Sequence, residues 1–375
     1  MFKRSIVLAI VLLAIVGAVS LGAEEIKIGL VTPVTGDTAT FGISVRNSVL
    51  LWEREVNARG GILGRNVKIY VEDDKNVPSE AANAVLKLIN QTKVLMILGP
   101  VTSKCTLAAA PIAQSSRIPL LTPTSTNAAV TPIGDYIFRS CFIDPLQGQV
   151  MGKFAVATLK AKTAAMLYDI GNDYSKGLAE SFHKQFEANG GKIVASETYG
   201  VGESDFSAQL TKIKRVDPDV LWLPDYYNTV GLITRQARQL GIKKAVFLGV
   251  DGWDSAELIP IAGTSIEGGY FSNHYSDQST APMAVAYIKA YRAAYKANPD
   301  ALAALAYDAC LVVEDAIKRA GKLDRSVLRD ALAATKNLQA VCGNLTLDPD
   351  RNPIKGAVVL QVKDGKFAYI TTVNP

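Results

Sequence analysis

The stretch from Phe41 to Gly61, FGISVRNSVLLWEREVNARGG, has a counterpart from Tyr174 to Gly191, YSKGLAESFHKQFEANGG. Each runs from an aromatic residue through a helical pattern to an Asn-containing ending closed by two glycines. A glycine just past a helix supplies the left-handed cap that side chains resist, so part of this likeness is common helix grammar. The flanking strands carry the rest. The first copy lies between the apolar runs IKIGLV (26–31) and VKIYVED (67–73), followed by a helix over 79–91 and the run VLMILG (94–99). The second copy follows AAMLYD (164–169) and precedes KIVASETYG (192–200), a helix near 206–215, DVLWLP (219–224), a helix over 229–240 and AVFLG (245–249). Strands alternating with helices predict parallel sheets covered on both faces. The restart of the pattern predicts two similar, Rossmann-like α/β lobes with parallel central sheets.

After Gly268 the pattern changes. GYFSNHY is followed by helical segments over 281–296, 302–320 and 326–334, and then by AVVLQV and FAYITTV joined through KDGK. Those helices have no sheet of their own, so they must return to an existing lobe, and the chain must cross between the lobes more than once.

Bulk properties agree with two ordinary domains: 375 residues, 49% hydrophobic and 20% charged, more than one core ordinarily holds. Residues 1–23 read as a signal peptide. Lys3 and Arg4 precede the apolar core Ile6 to Val19, and small residues follow at Ser20, Gly22 and Ala23. An exported, extracytoplasmic or periplasmic protein is therefore expected. The formal charge of +5 falls to about +3 once Lys3 and Arg4 leave with the signal. No long basic run remains, which argues against nucleic acid. The four cysteines, Cys105, Cys141, Cys310 and Cys342, fit no metal-binding spacing. They are compatible either with disulfides or with burial as small apolar residues.

Two polar loops follow apolar runs in the first lobe, GPVTSKCT (99–106) and LTPTSTN (121–127). Loops at the carboxyl ends of parallel strands are where α/β sheets hold ligands. Ser103 stands at the mouth of a helix starting near Lys104, where free N–H groups and the helix dipole favour an anion. Thr124, Ser125 and Thr126 lie in the second loop. In the second lobe, GVDGWD puts Asp251 at a strand end, a natural partner for an ammonium. Each hydroxyl alone reads equally as a cap or turn residue, and each aromatic as core.

Catalysis has little support. The sequence holds two histidines, His183 within a helix and His274 after a strand, and neither has a motif partner, so both read as structural or surface residues. Asp73 and Asp74 read as a solvated strand end. No phosphate-binding glycine loop and no nucleophile elbow is present. No cofactor and no metal site is expected, and the chain is expected to act as a monomer.

From Ile26 to Pro375 the chain resembles the type I periplasmic binding proteins that serve branched-chain amino acid ABC transporters. The matching pieces include IKIGLVTPVTGDTATFG, NARGGILGRNVKIYVEDD, GPVTSKCT, PLLTPTSTN, YIFRSCFIDPLQG, NDYSKGLA, GESDFSAQLTKIK, RQARQLG and FLGVDGWDS. The resemblance implies two lobes joined by a three-strand hinge, with ligand trapped as they close. Placed by these motifs, lobe 1 is 24–143 plus 273–351 and lobe 2 is 144–272 plus 352–375. It also implies that Ser103, Thr124 and Thr126 hold an α-carboxylate and part of an ammonium, Thr124 through its carbonyl, and that Asp251 pairs with the ammonium. By the same resemblance Tyr174 and Tyr226 cover the ligand from lobe 2, while Phe41 and Leu302 wall it from lobe 1. Where related proteins often join the EDD segment to the serine loop through a cysteine pair, this chain has Asn76 and Thr102. The implied partner is a membrane permease. Amides, aromatic acids, other small carboxylates and a sensory role stay open at this stage.

Overall fold

The computed structural model describes residues 25–373; the expected signal peptide lies outside them. Two sheets organise these residues. The first is built from β1 (Ile26–Thr32), α1 (Ala39–Ala58), β2 (Val67–Asp73), α2 (Pro78–Lys87), β3 (Met96–Leu98), α3 (Ser103–Ser115), β4 (Leu120–Thr122) and β5 (Ile137–Arg139). Its order is β2-β1-β3-β4-β5, and every pairing is parallel. β1 is almost wholly buried along its length, as expected of a central strand covered on both faces.

The second unit continues with α4 (Asp144–Ala157), β6 (Thr163–Asp169), α5 (Asp173–Ala188), β7 (Lys192–Tyr199), α6 (Ser207–Val216), β8 (Val220–Trp222), α7 (Tyr227–Gln239), β9 (Val246–Gly249), α8 (Leu258–Ala262) and β10 (Tyr270–Asn273). The chain then gives α9 (Pro282–Tyr295), α10 (Ala301–Ala320), α11 (Arg325–Ala333), a small hairpin of β11 (Leu338–Ala340) and β12 (Gly343–Leu345), and finally β13 (Ala357–Lys363) and β14 (Lys366–Val373). The second sheet runs β14-β13-β10-β9-β8-β6-β7. Its last two strands join antiparallel. Their turn has positive φ at both Asp364 and Gly365, the geometry that suits a tight hairpin.

The late helices return to the first unit, as their lack of a sheet demands. α10 packs along α1, with Trp52 Nε1 donating to Glu314 Oε2 at 2.9 Å, and α9 meets α1 where the Ser48 and Tyr287 hydroxyls are 2.6 Å apart. The chain therefore passes between the two units after β5, after β10 and before β13.

The paired signature does the same backbone work twice. Gly60 and Gly190 both take positive φ immediately after their helices. The asparagines diverge: Asn57 exchanges two hydrogen bonds with the Val67 backbone, whereas Asn189 bonds back to its own helix at Gln185. α4 gives no clear amphipathic pattern because it is buried on several sides. Its glycines allow α5 to lie close, since a Cβ on Gly148 would come within 2.1 Å of Ser181 Oγ.

Candidate ligand-binding site

Each sheet changes direction at one point, between β1 and β3 in the first and between β6 and β8 in the second. Crevices at such switch points are the expected ligand sites of open α/β sheets. Loops from both points converge here on one small cavity. Its lining includes Phe41, Ser103, Thr124 and Leu302 from the first unit, and Tyr174, Tyr226 and Asp251 from the second. Val101, Thr102 and Gly252, which the sequence reading passed over, complete it.

The hydroxyls of the LTPTSTN stretch divide into two kinds. Thr122 Oγ1 donates to the Pro100 carbonyl at 2.6 Å and Thr124 Oγ1 to the Val101 carbonyl at 2.6 Å. Ser125 Oγ donates to Val101 at 3.1 Å and lies 2.6 Å from Thr106 Oγ1. These groups lash the two loops together. Ser125 consequently does not belong to the lining: its hydroxyl is spent behind it. The proton of the Thr124 hydroxyl is thereby committed to Val101. Thr126 is fully buried and lies outside the lining, and its hydroxyl has no hydrogen-bond partner in the protein. Ser103 opens α3, and its Oγ accepts from the Asn127 N–H at 3.3 Å, which leaves its own proton free.

Thr102 Oγ1 donates to Asn76 Oδ1 at 2.8 Å, so a hydrogen bond ties the EDD segment to the serine loop. All four cysteines are free thiols. Asp73 and Asp74 depart from the expected solvated strand end. Asp73 accepts from the N–H groups of Val34 and Lys75 and so braces the loop after β1. Asp74 is fully buried, and that burial pushes its carboxyl up to about 6.

In the second unit Asp251 is held by three donors. Oδ1 accepts from Tyr174 Oη at 2.5 Å and Gln147 Nε2 at 2.9 Å, and Oδ2 is 2.9 Å from His274 Nε2. His274 is thus not without a partner, as its sequence context suggests; it is buried against the one acid of the lining. His183, by contrast, is half-buried and lies 3.3 Å from Glu187 one helical turn on. Tyr174 stacks on Tyr226 at 5.0 Å between centroids, and Phe41 meets Tyr226 edge-on at 5.7 Å. That last contact, with Tyr227 Oη donating to the Asp37 carbonyl at 3.2 Å, closes one unit onto the other.

Asp144, at the start of α4, is also buried, and both its oxygens lack a partner. Burial pushes it up to about 7. Asp144 and Gln147 share a helix face through their i, i+3 spacing. The FIDPLQG segment holds that signal, but no local pattern says what the face meets.

The cavity so formed has hydroxyl and amide donors at one end, a carboxylate at the other and aromatic walls between. A model of the periplasmic binding protein family matches residues 25–366. The chain belongs to that family. Among the relatives of this periplasmic binding protein is the leucine-, isoleucine-, valine-, threonine- and alanine-binding protein of Pseudomonas aeruginosa, 32% identical over 88% of this chain and 87% of the relative. Its fold is similar to that of a crystal structure of the leucine-binding protein LivK from Thermotoga maritima, with a TM-score of 0.90 and 38% identity over 93% of this chain and 99% of that one. It is also similar to LivJ from Streptococcus pneumoniae, the branched-chain amino acid transporter substrate-binding protein solved in complex with isoleucine. There the TM-score is 0.89, with 35% identity over 94% of this chain and 100% of that one.

Proposed function

We propose that this periplasmic binding protein captures a branched-chain or similar α-amino acid in the cleft and delivers it to an ABC transporter permease. One observation carries the reading: a single cavity brings Ser103, at the amino end of α3, into the same lining as Asp251 from the opposite unit. A zwitterion matches both ends, and Phe41, Tyr174, Tyr226 and Leu302 offer faces to an aliphatic side chain. The Pseudomonas relative, named for binding leucine, isoleucine and valine, and the Streptococcus protein in complex with isoleucine point the same way.

In this reading the two units are lobes, 24–143 with 273–351 and 144–272 with 352–375, which close by hinge motion about the three crossings. Thr126 and the Thr124 carbonyl complete the ligand shell. The protein works outside the cytoplasm as a monomer, exported by its first 23 residues, and its role is capture without catalysis. Among the described residues no helix is long and apolar enough to cross a membrane, and no group of three or more His, Cys, Asp or Glu is placed to hold a metal.

The test is thermal unfolding of refolded mature protein against the twenty amino acids and a set of amides, aromatic acids and short carboxylates. A ligand at about 100 times its dissociation constant adds about 2.7 kcal/mol. Leucine, isoleucine or valine should raise the melting temperature; a shift with non-amino acids alone would sink the reading.

A further inference from the structure

Aspartate is a short side chain for an anchor, and Asp251 is correspondingly fixed from behind. A carboxylate offers about four acceptor sites. Tyr174 and Gln147 fill two on Oδ1 and His274 one on Oδ2, so the open site is on Oδ2, beside the imidazole. A carboxylate cannot donate, which puts the imidazole proton on Nε2. The ring lies against Phe142 with centroids 3.5 Å apart and planes 25° from parallel, and its side chain is 1% exposed. Phe142 belongs to the crossing after β5, and His274 to the crossing after β10. Gln147 is equally constrained: its Oε1 accepts from Asp251 N at 3.1 Å and Ser272 Oγ at 2.8 Å, which fixes its amide so that Nε2 faces Asp251. Both donors are therefore held in place by the protein itself, and neither His274 nor Gln147 lines the cavity.

We propose that His274, together with Gln147, is a positioning residue that aims the open site of Asp251 Oδ2 at the ligand's ammonium, and thereby sets the preference for α-amino acids over their des-amino acids. The inference rests on the reading of the cleft as a zwitterion site. Its physical basis is preorganisation. Without the donor from His274, the short carboxylate can turn away from the cleft, and ordering it again costs binding energy. The carboxylate end of the ligand, held by the other unit, is untouched by that loss.

Calorimetry with L-leucine, and with 4-methylpentanoate (leucine without its amino group) by displacement, separates the roles. The proteins are wild type, His274→Ala, His274→Gln, Gln147→Met and Asp251→Asn. His274→Ala should weaken leucine about tenfold, one lost oriented hydrogen bond, and leave 4-methylpentanoate nearly unchanged. His274→Gln, which restores an amide donor, should recover part of the loss. Gln147→Met should act in the same direction as His274→Ala, and it decides the matter if the alanine variant does not fold. Equal weakening of both ligands, or of neither, while Asp251→Asn still removes the preference for leucine, overturns the positioning role alone. If Asp251→Asn leaves the leucine preference intact, the zwitterion reading itself fails.

Discussion

The two halves of the cleft solve different problems. The first unit offers short loops whose hydroxyls are mostly consumed in bracing Gly99–Val101 against Thr122–Ser125, leaving the Ser103 proton and the Thr126 hydroxyl uncommitted. The second unit offers Asp251, whose charge is already met by Tyr174, Gln147 and His274. In this cleft most hydroxyls next to the site stiffen it. A buried acid needs several neutral donors before it can wait for a cation.

The largest break in this comparison is Asp251→Ala. A charge-assisted hydrogen bond is worth about 1.5–3 kcal/mol, so affinity for leucine should fall roughly 10- to 100-fold by calorimetry, with Ser103 and Thr126 in place. Gly252→Ala tests the packing of the second half. Its Cβ would stand 2.8 Å from Tyr174 Oη and 2.9 Å from the Asp225 carbonyl, and overpacking of this kind costs about 1–3 kcal/mol. Thermal unfolding should show the loss, and Gly200→Ala, with open space around it, should show none.

Asp144 joins the halves, since it begins α4 and faces Thr126. Burial raises its carboxyl to about 7. A group raised on folding contributes stability below its unfolded value and loses it as pH rises through the folded one. Asp144→Asn should therefore match wild type near pH 4 and exceed it by roughly 1–3 kcal/mol at pH 8, read from urea unfolding of ligand-free protein.

The smallest effects separate neighbours within the first half. Ser125→Ala should lower stability by about 1 kcal/mol and hardly change affinity. Thr126→Val, at a hydroxyl with no partner to lose, should do the reverse, weakening leucine about tenfold. Equal behaviour of the two variants would erase the division between bracing and binding hydroxyls.

Much of this molecule was legible in one dimension. The periodic segments became α1, α5, α7 and α9 within a few residues of their expected limits, because each has one buried face and a glycine, proline or polar cap to end it; α10, buried on most sides, was marked by its length and by the glycine that caps it. α4 was not legible, because a helix buried on several sides has no single apolar stripe. The expected lining residues Phe41, Ser103, Thr124, Tyr174, Tyr226, Asp251 and Leu302 meet at one cavity, and each except Leu302 lies within or just past a loop at a strand's end. Ser125 looked the same as Thr126 in sequence, since two adjacent hydroxyls in a loop differ only in what stands opposite them.

By itself the sequence determined the alternation of strand and helix, its restart near residue 164 and the short loops that end each strand, since these follow from local periodicity and turn chemistry. Only the tertiary structure decided which hydroxyl braces and which stays free, and that His274, 23 residues beyond Asp251, is the donor behind it. Such partnerships depend on strands that become neighbours only when the sheet forms, and no spacing along the chain encodes them.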